Sequence, residues 1–197
     1  LIIFNYKMEI IKTDKSWLKK SVFTNTALLI QCVEDVKPKL KVRPEIKVFG
    51  KICHQNRDVG FFSDESIGYK YSGYMAESIP LTSALKTLLD IVNEITNNNF
   101  NGILVNYYCD GTQTIGPHSD DESELGKNGV VAISYGINRK FRIRDKVTKK
   151  ILKDIDLENG DMVHMGGDFQ KEFTHEIPAQ RKIKDFRYSF TFRYHKN

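Results

Sequence analysis

His118-Ser119-Asp120 sets an imidazole and a carboxylate two residues apart. In an extended chain, residues at i and i+2 share a face, so both side chains could reach one metal ion. His175 lies in the run Phe173-Thr174-His175-Glu176-Ile177, where a neighbouring strand would bring it opposite that pair. Two imidazoles and one carboxylate on one side of an octahedral ion form the facial triad of non-heme Fe(II) oxygenases, which leaves positions for a co-substrate and O2. The bare His-x-Asp pair also has an ordinary reading, a loop histidine beside a solvated aspartate. The run from Arg187 to Arg193 adds a second constellation: Arg187, Ser189, Thr191 and Arg193 alternate with Tyr188, Phe190 and Phe192. One face of that strand is core and the other is a polar strip carrying two arginines. An arginine pointing inward needs an anion to offset its desolvation, and a dicarboxylate would meet it as a bidentate pair. At a sheet edge the same strip would face solvent.

Many short β-type runs surround these residues: Gly102 to Cys109, Val130 to Tyr135, Phe141 to Arg144, Ile151 to Leu157, Asp161 to Met165, and the two runs above. Turns rich in Gly, Asp and Asn separate them without intervening helices, which predicts antiparallel sheets closing into a sandwich or jelly roll. Leu81, Leu85, Leu88, Leu89, Val92 and Ile95 recur at helical spacing. Pro80 and Thr82 open that helix and Asn97-Asn98-Asn99 close it, and its apolar stripe should back a sheet. From Lys37 to Ile52 the residues alternate with period two, which predicts a strand or hairpin with one buried face and one basic face carrying Lys37, Lys39, Lys41, Arg43, Lys47 and Lys51. Phe49 falls on the basic side next to Gly50, either as a surface ring or redirected by a bulge at Pro44. Residues 1–36 read as an N-terminal extension with helical stretches around Trp17–Phe23 and Asn25–Val36, and residues 37–197 as the folded domain.

A chain of 197 residues with 40% hydrophobic and 28% charged residues can bury a core, and this excludes collagenous or largely disordered classes. No apolar run approaches the roughly 20 residues of a membrane span. Leu1-Ile2-Ile3-Phe4 is too short for a signal peptide, and Met8 is a candidate start. Three cysteines without a CxxC pair argue against a disulfide framework or zinc knuckle, so a reducing, intracellular setting is expected, nuclear in a eukaryote or otherwise cytoplasmic. The net charge of +5 permits an anionic partner.

Taken in order, Asn106-Tyr107-Tyr108, Asp110-Gly111, Ile115-Gly116, His118-Ser119-Asp120-Asp121-Glu122, Ser134-Tyr135-Gly136, Arg139-Lys140-Phe141, Gly160, His175-Glu176-Ile177-Pro178 and the Arg187 to Arg193 strand resemble the AlkB-type Fe(II)/2-oxoglutarate dioxygenases. The resemblance covers roughly Pro44 to Arg193. It implies a mainly β fold with flanking helices (α+β), a double-stranded β-helix or jelly roll. His118, Asp120 and His175 would bind Fe(II), with 2-oxoglutarate and O2 as co-substrates. Arg187 would pair with the distal carboxylate, Arg193 would support the metal-bound end, and Asn106 and Tyr108 would hydrogen-bond the co-substrate.

The resemblance extends to members that repair alkylated bases in duplex DNA, through Val48-Phe49-Gly50, which matches an intercalating finger, and Tyr69-Lys70-Tyr71-Ser72-Gly73, which matches a base-pocket segment. Tyr71 and the ring of His118 would sandwich a flipped base, with Tyr69, Ser72, Arg57, Asp121 and Glu122 around its polar edge, while Arg181, Lys182 and Lys184 occupy the spacing of a basic loop. Tyr69 and Tyr71 also fit core aromatics, and Asp121 and Glu122 fit solvated acids. Ser189 stands where many family members carry asparagine. The implied activity is oxidative demethylation of alkylated DNA bases. The rivals are an RNA or single-strand demethylase, a silent nucleic-acid-binding module, and a hydroxylase of protein or small molecules. A monomer is expected. The first 36 residues hold no run of a glutamine with paired aromatics, so no sliding-clamp partner is expected from them.

Overall fold

A computed structural model describes residues 8–48, 50–66, 68–71, 74–120 and 129–195. Phe49, Ser72, Asp121 and Glu122 lie outside these described residues, and Tyr69 and Tyr71 are placed by their backbone alone.

The chain opens with strands β1 (Met8–Lys12) and β2 (Ser16–Val22), helix α1 (Thr26–Val36) and a 3-10 turn, Lys37–Lys39. Strands β3 (Glu45–Val48), β4 (Lys51–His54), β5 (Asp58–Phe62), β6 (Gly68–Tyr71) and β7 (Tyr74–Ile79) precede helix α2 (Ser83–Thr96). Then come β8 (Gly102–Tyr108), β9 (Ile115–His118), β10 (Val130–Gly136), β11 (Arg139–Asp145), β12 (Ile151–Leu157), β13 (Asp161–Gly167), the short helix α3 (Phe169–Glu172), β14 (Phe173–Ile177) and β15 (Arg187–Arg193). Among the described residues a nine-stranded sheet runs β1-β2-β13-β10-β15-β8-β5-β7-β6 and faces a four-stranded sheet, β12-β11-β14-β9. This is the jelly roll, and the β-type runs expected from residue 102 onward form its strands.

Helix α2 begins where Thr82 accepts a hydrogen bond from the Leu85 amide at 3.2 Å. It ends at Asn97 in the left-handed conformation, the position that asparagine tolerates better than most side chains. Leu85, Leu88, Leu89 and Val92 are buried with α1 against the outer face of the large sheet. A second core between the two sheets contains Val130, Phe141, Leu157, Met165, Phe173 and Ile177. β15 separates the two: Tyr188, Phe190 and Phe192 enter the helix-side core, while Arg187, Ser189, Thr191 and Arg193 line the cavity between the sheets. β15 lies between β10 and β8 rather than at an edge, so both of its faces are buried.

Two readings are corrected. Trp17 to Phe23, expected as helical, is strand β2, paired along its length with β13 from Asp161↔Val22 to Gly167↔Ser16. β1 and β2 are thereby built into the large sheet, and α1 packs in the helix-side core. Long-range pairing decides the matter: Leu18 is buried between the sheets, and Trp17 covers Gly166, where a Cβ would come within 2.1 Å of the indole. The alternating stretch from Lys37 also lacks its predicted buried face. It begins with the 3-10 turn, and only β3 and β4 pair, as a two-stranded ribbon separate from both large sheets. β3 comes near β7 of the large sheet, but β4 leaves Ile52 72% exposed, and Val42 in the preceding loop is 77% exposed.

Candidate metal and co-substrate site

β9 and β14 are antiparallel neighbours, and their register sets His118 directly opposite His175. The ring centroids are 4.3 Å apart. His118 Nδ1 lies 2.9 Å from the Gly116 carbonyl, which turns Nε2 toward Asp120, 3.8 Å from Oδ1. His175 Nε2 is 3.5 Å from Asp120 Oδ2, and Phe141 stacks on the other imidazole face at 5.1 Å. The ligand atoms of His118, Asp120 and His175 all lie within 4.8 Å of one another. The expectation that His118 and Asp120 share a strand face needs amending, because β9 stops at His118 and Asp120 follows in a loop.

The electrostatics suit a cation. Burial and the adjacent His175 push His118 down to about 3 against the pull of Asp120, so its imidazole is neutral with a lone pair to offer. Burial alone would raise the Asp120 pKa, but the Arg193 guanidinium and the two histidines outweigh it and hold the carboxyl well below the usual carboxylate range. Arg193 Nη2 donates to Asp120 Oδ1 at 2.7 Å.

Beyond the triad the cavity holds about 530 Å³ of empty space, its open mouth included, and Arg187, Tyr108, Asn106 and Arg57 line it. Arg187 is 2% exposed and donates from Nη2 to Ser134 Oγ at 2.9 Å. Its Nε and Nη1 have no hydrogen-bond partner among the described residues. Burial, with the Arg139 charge adding to it and Tyr108 opposing, pulls this guanidinium down to about 10. A buried cation with two idle donors calls for an anion. The triad and Arg187 therefore fit Fe(II) and the dicarboxylate 2-oxoglutarate: three ligands for the ion, and a guanidinium for the far carboxylate.

Asn106 Oδ1 accepts from Arg57 Nε at 2.6 Å, so a residue expected at the co-substrate and one expected at the base edge share a hydrogen bond. Arg181, Lys182 and Lys184 are exposed on the segment after β14. That segment is latched to the loop after β8, where the Gln180 amide donates to the Gly111 carbonyl and the Gly111 amide to that of Ile183. Gly111 is required there, since a Cβ would lie 2.0 Å from the Gln180 carbonyl oxygen.

Two residues with a part in the site carry no role in the sequence reading. Arg139 is fully buried and donates to the carbonyls of Asp110, Gln113 and Pro178, tying both loops together. The family-like run Arg139-Lys140-Phe141 was a signal for it. Gln170 accepts from the Asp120 amide at 2.9 Å, and nothing in its sequence surroundings marks it.

A jelly roll holding a two-histidine, one-carboxylate cluster beside a buried arginine is the architecture of a non-heme iron oxygenase that uses a 2-oxo acid. Residues 19–193 match the 2OG-Fe(II) oxygenase superfamily, and the chain belongs to that family. The family's cofactor is Fe(II) and its co-substrate is 2-oxoglutarate. The chain is 31% identical over 157 residues to the DNA oxidative demethylase ALKBH2 of Mus musculus, a match covering 76% of this chain and 66% of that protein. It is 33% identical over 135 residues to the alpha-ketoglutarate-dependent dioxygenase alkB homolog 3 of Rattus norvegicus, covering 64% of this chain and 46% of that one. The chain thus spans less than two thirds of the length of these curated relatives. Its fold is similar to that of the solved structure of OsALKBH1, with a TM-score of 0.57 and 17% identity over 95% of this chain and all of the other. No described helix is long and apolar enough to cross a membrane.

Proposed function

We propose that the protein is an Fe(II)/2-oxoglutarate-dependent dioxygenase that removes N-linked alkyl groups from nucleic-acid bases, with alkylated DNA as its substrate. The observation that carries the reading is the single cavity lined by both the His118–Asp120–His175 cluster and Arg187, a buried guanidinium with two unmatched donors. The names of the mouse and rat relatives supply the substrate class.

His118, Asp120 and His175 would hold Fe(II), which with O2 and 2-oxoglutarate would supply the oxidising equivalents to hydroxylate an N-methyl carbon, giving succinate and CO2 as co-products and releasing the hydroxymethyl group as formaldehyde. The residues of the chain bind and orient. Arg187 fixes the far carboxylate of 2-oxoglutarate, and Ser134 keeps the guanidinium aimed. Tyr108 and Asn106 border the co-substrate. Arg193 keeps Asp120 ionised and oriented. Phe141, Leu157 and Met165 form the dry wall around the reacting end.

The rim supports a polyanionic partner. The β3–β4 ribbon leads straight into Asn56 and Arg57, and Asn56 Nδ2 donates to the Thr112 carbonyl at 3.1 Å. The loop after β8 bonds in turn to the segment bearing Arg181 and Lys182. Exposed Lys47 and Lys51 on the ribbon and Arg181, Lys182 and Lys184 opposite thus belong to one hydrogen-bonded rim, which would meet phosphates. Alkylation on the Watson–Crick edge weakens pairing and lowers the cost of flipping the base outward, where stacking on Tyr71 and His118 would recover energy. Phe49, between Lys47 and Lys51 in the sequence, would fill the vacated gap.

The test is formaldehyde release, dependent on Fe(II) and 2-oxoglutarate, from matched single- and double-stranded DNA and RNA oligonucleotides carrying 1-methyladenine or 3-methylcytosine. Release from DNA is expected, and Phe49→Ala should lose about tenfold on duplex and little on single strands. Equal loss on both would make Phe49 a structural ring and RNA or single strands the better substrate. No release from any oligonucleotide, alongside normal uncoupled 2-oxoglutarate decarboxylation, would overturn the nucleic-acid reading.

A further inference from the structure

We infer that Gln170 is a positioning residue of the metal site, its side-chain amide fixing the backbone at Asp120, the one ligand of the triad that no strand ladder holds. The inference rests on the metal-site reading above and adds a residue to it. His118 and His175 are set by a single cross-strand pair. Asp120 lies two residues beyond the end of β9, and its backbone N–H donates to Gln170 Oε1 at 2.9 Å. One residue earlier, Ser119 Oγ donates to the Phe173 carbonyl at 2.9 Å. Both acceptors belong to the corner where α3 meets β14, so this corner does for Asp120 what pairing does for the histidines.

Gln170 is itself held from two sides, and its short helix by a further bond. Its Nε2 donates to Met165 Sδ at 3.6 Å, and Met165 is buried between the sheets. Its carbonyl oxygen accepts from Lys146 Nζ at 2.9 Å, across from the β11–β12 turn. The Lys146 amide donates to the Glu172 carbonyl at the other end of the same short helix. The amide oxygen aimed at Asp120 therefore rests on a frame built from β13 and the β11–β12 turn. The carboxylate is 3% exposed, so a rotation of the backbone that reoriented it could not be compensated by water. Removing the acceptor leaves a part-buried N–H to find a new partner, and the carboxylate moves with it. Outer-shell partners of metal ligands typically contribute 10- to 100-fold to metal affinity in this way.

Two variants separate positioning from mere support of α3. Gln170→Met keeps the length and apolar contact of the side chain and removes the acceptor. Gln170→Glu keeps an acceptor oxygen and gives up the N–H that reaches Met165. Titration of the metal-free protein with Co(II), followed by its visible d–d absorption, should show Gln170→Met binding about tenfold or more weakly with an altered spectrum, and Gln170→Glu binding as tightly as the wild type or tighter with the spectrum restored. Gln170→Leu puts the same question if the methionine variant does not fold. Wild-type Co(II) affinity in Gln170→Met or Gln170→Leu, or equal weakening in the glutamate variant, would overturn the inference. Asp120→Ala separates the two levels. If it binds Co(II) like the wild type, the metal-site reading fails; if it loses Co(II) while Gln170→Met does not, only the role of Gln170 fails.

Discussion

The two ends of the cavity are built by different means. At the inner end, β15 is paired with β8 from Arg187 to Arg193 and with β10 from Arg187 to Phe192. Of the side chains it sends inward, Arg187, Ser189 and Thr191 are therefore fixed by two ladders and Arg193 by one. At the rim, the ribbon and the two loops are joined by scattered hydrogen bonds outside any large-sheet ladder, three of them from Arg139, and by one tight glycine contact. The inner end would bind a small dicarboxylate and an ion, which demand fixed geometry. The rim would bind a long, flexible polyanion, for which charge counts more than register. The fold thus holds rigid what the chemistry shares across substrates and leaves to loops what distinguishes one substrate from another.

Arg187→Ala should separate the ends most sharply. It removes the partner of the far carboxylate from a dry site, a loss of about 3 kcal/mol or more, which is roughly 100-fold or more in the KM for 2-oxoglutarate. Co(II) affinity should hold within a few-fold, since Arg187 touches none of the three ligands. Normal turnover at low 2-oxoglutarate would remove Arg187 from the co-substrate site. Gly111→Ala should act at the opposite end. Its Cβ would lie 2.0 Å from the Gln180 carbonyl oxygen, so the segment carrying Arg181 and Lys182 must shift. About tenfold weaker oligonucleotide binding and a Tm lower by several degrees are expected, with the KM for 2-oxoglutarate unchanged. If 2-oxoglutarate binding moved instead, the two ends would not be independent. Charge reversal by Lys47→Glu or Arg181→Glu should be milder, a few-fold loss for any sequence, with the slope of log affinity against log salt reduced by about one per site. A loss confined to one sequence would mean that these residues read bases rather than phosphates.

The same contrast governs what could be read from residue order. β15 declared both of its faces, because arginines, serine and threonine alternate with aromatics and a central strand must put each set somewhere. The pairing of His118 with His175 was legible from two extended runs, and α2 from its leucine spacing and the Thr82 cap. β2 was not, because Trp17-Leu18-Lys19-Lys20 carries residues that suit a helix as well as a strand, and only pairing with distant β13 chooses between them. The ribbon erred the other way: its period-two pattern is real, but β3 and β4 pair only with each other, and Ile52 stays in solvent. Arg139 and Gln170 act on backbone atoms of segments far away in sequence, and such bonds leave no periodicity to detect.

The smallest effect belongs to Ser134→Ala, and it asks whether the inner end is as tightly specified as its ladders suggest. Ser134 faces Ser189 across the β10–β15 pair and is 2% exposed. Its Oγ accepts from Arg187 Nη2, the hydrogen bond that leaves Nε and Nη1 directed elsewhere. Alanine removes that acceptor and creates almost no cavity, so stability should change by about 1 kcal/mol or less. The guanidinium gains freedom to rotate, and part of the binding energy of 2-oxoglutarate then goes into ordering it again. The KM for 2-oxoglutarate should rise roughly twofold, with kcat at saturation and Co(II) affinity unchanged. The effect should nearly vanish in an Arg187→Ala background, because the serine acts through the arginine. An undiminished effect in that background would mean that Ser134 touches the co-substrate itself. An effect on the oligonucleotide KM in place of that for 2-oxoglutarate would place the polyanion, rather than the dicarboxylate, at the ladder-built end of the cavity.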